Sequence, residues 1–75
     1  MSKMEDRLVY MANQIGKAFI LRPHQEAVDE TATHLKAFWE KRMLTRILAY
    51  IDAGGAGLDE IPRQALLKFR ENLPK

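Results

Sequence analysis

Four side chains near the middle of the chain are spaced for recognition chemistry: Trp39, Arg42, Arg46 and Tyr50. Arg42 and Arg46 are one helical turn apart, so in a helix their guanidinium groups serve one surface, which suits carboxylate or phosphate. Tyr50 falls one turn further on, and Trp39 is the only tryptophan. Arginine, tyrosine and tryptophan together dominate the hot spots of protein–protein interfaces. A solvated helix flank carries the same residues, so docking and plain exposure both stay open at this level. Upstream, Asn13 lies between the apolar and polar sides of a periodic stretch, and Gln14 on its outer side. Asn13 is placed either for solvent or for a hydrogen bond to a neighbouring helix or a partner backbone. Asn13, Gln14, Trp39, Arg42, Arg46 and Tyr50 form the candidate partner-binding set.

Catalytic chemistry is not laid out. It needs polar groups held together with tuned pKa values, and the hydroxyls of Tyr10, Thr31, Thr33 and Thr45 are not paired with a histidine and carboxylate. Asp29 and Glu30 diverge on a helix, while Glu26 and Glu30 share a face that reads as solvated, which is poor material for general acid–base work. The absence of cysteine excludes disulfides, thiolate metal sites and a cysteine nucleophile. His24 and His34 have no metal-motif carboxylates around them, and no zinc, calcium or iron–sulfur spacing occurs. His34 reads as a boundary histidine, and His24 as exposed. The glycine-rich run Asp52 to Leu58 follows a helix and carries no Lys-Ser/Thr, so it matches neither nucleotide-binding fingerprint. The chain is expected not to be an enzyme by itself and to hold no metal or cofactor.

Charge gives a weaker constraint. Twelve basic and 10 acidic residues leave a net charge of +2, too little to argue for nucleic acid. The distribution is uneven: Lys36, Lys41, Arg42 and Arg46 against Glu40 make +3 between 36 and 46, while Glu26 to Glu30 carries −3. Such a surface suits a partner of matching charge. A DNA-recognition helix should expose several polar residues in succession, yet Met43, Leu44, Ile47, Leu48 and Ile51 cover nearly half of this one, and the following loop is too long for a helix-turn-helix turn. The longest apolar run near the start, Ala18 to Leu21, is far short of a membrane span, and no signal-like segment is seen. The expectation is a cytoplasmic protein with neither nucleic-acid nor membrane partners.

The elements that would position these residues are helices. From Met4 to about Ile20 the large apolar residues Met4, Leu8, Met11, Ile15 and Phe19 recur every three or four positions, with Val9, Gly16 and Ile20 as a thinner second stripe. Ser2 and Glu5 have capping-box spacing at its start. Gly16 costs about 1 kcal/mol against alanine inside a helix, which suggests that another element passes close there. Pro23 breaks the pattern, and a second helix runs from Pro23 or His24 to about Trp39, with Ala27, Val28, Thr31, Leu35, Phe38 and Trp39 as its apolar face. A bend then leads into a third helix, about Lys41 to Asp52. Three glycines end it, Asp59 caps a fourth, and Ile61, Ala65, Leu66, Phe69 and Leu73 form that helix's apolar face before Pro74. The fold class is all-α, a small bundle of four short helices in one domain spanning 1–75. So small a core also makes self-association of the isolated chain an expectation.

Taken together, the stretch Met11 to Gly16 (MANQIG) with Phe19, then His34-Leu35 with Phe38-Trp39, then Arg42-Met43 with Leu48, and Gly55 to Leu58 resembles the small delta subunit of NAD-dependent formate dehydrogenases. The resemblance covers roughly Leu8 to Leu67. The family usually has proline where this chain has Lys41, a residue that would force the break after the second helix. The resemblance implies an accessory subunit of a soluble, cytoplasmic, multi-subunit enzyme that oxidises formate and reduces NAD. Its partners would be catalytic and electron-transfer subunits, which carry the molybdenum or tungsten pterin, iron–sulfur clusters and FMN. It implies support for assembly, cofactor retention or stability of the catalytic subunit. The alternative is a free-standing helical adaptor or homodimer unrelated to formate oxidation.

Overall fold

Helical periodicity throughout the chain is realised as four α-helices in the computed structural model, which describes residues 3–72, with the backbone alone for Lys3, Glu71 and Asn72. They are α1 (Lys3–Ala18), α2 (His24–Phe38), α3 (Lys41–Asp52) and α4 (Glu60–Asn72), and no strand occurs among the described residues. The expected cap at Ser2, the apolar contribution of Leu73 and the stop at Pro74 lie outside them.

α1 stops two residues earlier than its periodicity predicts. Phe19 and Ile20 donate to Gly16 and Lys17, three residues back, which tightens the end of the helix into a turn. Its deepest face also differs from the expected stripe. Leu8, Val9, Ala12 and Gly16 are buried, whereas Met4 stays 46% exposed and Met11, Ile15 and Phe19 are half-buried. The core therefore lies between the two predicted stripes, and the small residues Ala12 and Gly16 let a neighbour approach. That neighbour is α4: a Cβ on Gly16 would stand 2.8 Å from Pro62 Cδ.

Pro23 precedes α2 with extended backbone, as its fixed φ allows, and its carbonyl accepts the Ala27 N–H. Glu26 in the first turn and Lys36 in the last both suit the helix dipole. Trp39 and Glu40 then take extended backbone between α2 and α3. The break thus forms with lysine at 41, because these two residues leave the helical region on their own.

α4 packs against all three other helices, most extensively α2, while α2 and α3 do not pack on one another. His24 meets Gln64 and Asp29 meets Lys68, so α2 and α4 run side by side in the same direction. Arg63 reaches back to Gly55 and Arg70 to Leu48 and Asp52, so α3 and α4 are antiparallel. The core is the shared interior of the four helices. Leu8, Leu35, Ile47 and Leu66 are fully buried, and each contributes roughly 1.5–3 kcal/mol by leaving water. Phe38 is the correction to the predicted α2 face: it is 72% exposed. It sits in the last turn of α2, where its ring stacks on His34 of the same helix and does not join the core.

Candidate functional site

The six candidate residues do not form one patch. Trp39 turns inward and is 7% exposed within the core cluster. Its extended backbone swings the indole off the line of α2 and beneath the corner between α2 and α3. Tyr50 is half-buried, and its hydroxyl donates to the Ala56 carbonyl. Neither is available to join the arginines in a continuous exposed strip.

Asn13 is half-buried, and its side chain is used on both ends by its own chain. Its Nδ2 donates to the Gly57 carbonyl at 2.9 Å, and its Oδ1 accepts the Asp59 N–H at 2.8 Å. Both hydrogen bonds go to the backbone of a loop in its own chain, rather than to a neighbouring helix or to solvent. The loop it holds, residues 53–59, takes positive φ at Gly54, Gly55 and Gly57, where a side chain would be strained. Three helices pin it: α1 through Asn13, α3 through Tyr50 and α4 through Arg63, which donates to the Gly55 carbonyl at 2.9 Å. Neither Arg63 nor Pro62 stands out in the sequence as more than a helix residue. Their partners are set by the turn, which no local spacing encodes.

Arg42, Arg46 and Gln14 remain on the surface. Arg42 keeps 90% of its side chain exposed and Arg46 51%. Their nearest carboxylates, Glu40 and Glu5, stand 3.9 Å away in each case, and exposed pairs of that kind contribute about 0–1 kcal/mol. Both arginines border a cleft of about 330 Å³ whose other walls are Met4, Leu8, Glu40 and Met43. They also border a shallow groove on the outer flank of α3, shared with Lys41, Thr45 and Ala49. No acidic residue lies in the first turn of α3, and Glu40 at its N-cap is the carboxylate beside that basic end.

Away from this corner, His34 stacks on Phe38 with ring centroids 4.6 Å apart, and exposed His24 pairs with Gln64 at 2.9 Å. Asp29 is held below the usual carboxylate range by the hydrogen bond from Lys68, helped by Gln25. These contacts join α2 to α4 or stay within α2. Among the described residues no group of three or more His, Cys, Asp or Glu could hold a metal ion. No helix among them is long and apolar enough to cross a membrane.

The arrangement offers a helical bundle whose apolar side chains meet exposed guanidinium groups at the α1–α3 cleft, and again in the turn after α1, where Arg22 lies over Phe19. A family model described as "NADH-dependant formate dehydrogenase delta subunit FdsD" matches residues 7–66. No curated protein and no solved structure matches the chain.

Proposed function

Because the chain belongs to the formate dehydrogenase delta subunit family, we propose that it is a non-catalytic accessory subunit that supports assembly, cofactor retention or stability of the catalytic subunit. The observation that carries this is the family match across residues 7–66. The physical picture supports it: polar groups that could have formed a site are spent on holding the bundle together, as with Asn13, Tyr50 and Arg63. Of the six candidate residues, Gln14, Arg42 and Arg46 are left on the surface, with exposed Met4 in the same cleft as the two arginines.

In this reading the catalytic and electron-transfer subunits carry the molybdenum or tungsten pterin, iron–sulfur clusters and FMN, and NAD is reduced there, in the cytoplasm. Arg42 and Arg46 dock, Gln14 assists at the surface of α1, and Asn13, Trp39 and Tyr50 act indirectly by fixing the surfaces that meet the partner. The test is co-expression of the remaining subunits with and without this chain, followed by purification. Formate-dependent NAD reduction and bound molybdenum or tungsten per catalytic subunit are then measured. The expected result is co-purification of the chain and a fall in activity, metal content or thermal stability when it is omitted. A complex of unchanged recovery, metal content, stability and activity without it would refute the proposal.

A further inference from the structure

The cleft between α1 and α3 joins apolar and basic side chains. Met4, Leu8 and Met43 give it an apolar lining, and Arg42 and Arg46 border it with 90% and 51% of their side chains exposed. Phe38, exposed to 72%, lies two residues before Glu40, which also lines the cleft. Lys41 continues the positive surface onto the flank of α3. At about 330 Å³ and open to solvent, the space is at the bottom of the range of about 300–1,000 Å³ found for small-molecule sites. It accommodates a side chain or two from a polypeptide rather than an enclosed cofactor.

We infer that this cleft receives an apolar side chain from an acidic segment of a partner polypeptide, whose carboxylates pair with Arg42 and Arg46. The inference rests on the accessory-subunit reading, in which that partner is the formate-oxidising subunit. Charge complementarity chooses the chemistry. Each arginine is matched in its own chain only at 3.9 Å, a separation at which an incoming carboxylate competes easily and can form the bidentate contact the guanidinium favours. Glu5 and Glu40 beside the arginines oppose any incoming anion alike, so the apolar lining decides between them. A nucleic acid fits less well, because its phosphate backbone brings no apolar side chain for Met4, Leu8 and Met43, whereas a polypeptide joins an apolar anchor to a polar rim.

The test uses the full chain co-expressed with the other enzyme subunits. Arg42 and Arg46 are replaced together by glutamate, and separately Met4→Glu places a charge in the cleft. Circular dichroism checks that helicity is retained, which the exposure of all three residues favours. The expected result is at least tenfold weaker retention of the formate-oxidising subunit for either variant. Salt dependence should flatten for the arginine pair, and replacing both arginines by lysine should restore only part of the binding, because an ammonium keeps the charge but not the bidentate contact. Wild-type retention and salt dependence in both variants would overturn the inference while leaving the accessory-subunit proposal standing. Failure of the unaltered chain to retain any enzyme subunit would overturn both. Loss of self-association in the arginine variant, with retention of the subunit intact, would make a second copy of the chain the occupant. Loss only of salt-dependent duplex DNA binding would give the surface to nucleic acid, and either result overturns the inference.

Discussion

Replacing Gly16 by alanine sets two effects of known size against each other. Alanine in a helix interior is favoured over glycine by about 1 kcal/mol, and Gly16 is the third-last residue of α1. The new methyl carbon would stand 2.8 Å from Pro62 Cδ and 3.4 Å from Cγ, against an optimum of about 3.5–4.0 Å between carbons. A proline ring has no rotamer by which to withdraw. The first turn of α4 cannot drift either, since Asn13 binds the Asp59 N–H just before it and Arg63 binds the Gly55 carbonyl. Overpacking of this kind costs about 1–3 kcal/mol, so the net expectation is a loss of about 1 kcal/mol, with about 2 as the upper end. In a domain of this length that lowers Tm by roughly 4–8 °C per kcal/mol. Urea unfolding followed at 222 nm measures it, and Gly16→Ala in a Pro62→Ala background isolates the contact. There the alanine should stabilise α1, giving a coupling equal to the overpacking cost, about 1–3 kcal/mol, between the two sites. A coupling near zero, or a single variant more stable than the wild type, would refute the steric account.

Three further outcomes follow from side chains already described. Asn13→Ala leaves the Gly57 carbonyl and Asp59 N–H without their partner and should cost about 1–3 kcal/mol in urea unfolding, with faster amide hydrogen exchange in 53–59; unchanged exchange there would show that the loop does not depend on it. Thr31 is fully buried and its hydroxyl has no hydrogen-bond partner, so Thr31→Val should raise stability by about 1 kcal/mol, and a drop in Tm would show that the hydroxyl is satisfied after all. Because the folded-state pKa of Asp29 is lowered by Lys68, its contribution is present above the unfolded value of about 4 and lost as pH falls through the lower folded value. Asp29→Asn should therefore lose less stability than the wild type between pH 5 and pH 2, and parallel losses would remove the role assigned to this pair.

The helices were legible in the residues because each carries its own period, and two of the breaks between them carry their own stop. Pro23 separates α1 from α2, and the three glycines after Ala53 end α3. Gly16 signalled a close approach by being costly where it stands, though not which residue makes it. Long-range pairing was not legible. Asn13 meets a loop 44 residues away, and an amide at a helix margin looks the same whether it faces water or a carbonyl. Phe38 misled for a related reason: its position within α2 reads as apolar, but whether another element covers it is a matter of tertiary packing, and it is exposed. For the candidate site, spacing put Arg42 and Arg46 on one surface and Trp39 on the apolar face of α2, where it is buried, but could not reveal that the Tyr50 hydroxyl is taken by the Ala56 carbonyl. A variant lacking Trp39 would therefore test the fold rather than the docking surface.

Glycine-rich connections on a protein surface are ordinarily where extra residues are accepted and where tags are grafted. Here three helices hold the segment at Gly55, Ala56 and Gly57, so its length is as tightly specified as that of a helix. An epitope inserted there would pull apart the grips on α1, α3 and α4 at once, whereas the turn around Leu21, whose side chain is 98% exposed, offers a permissive point of attachment. Among related chains, the same constraint predicts length variation around Leu21 and a fixed length from Ala53 to Asp59.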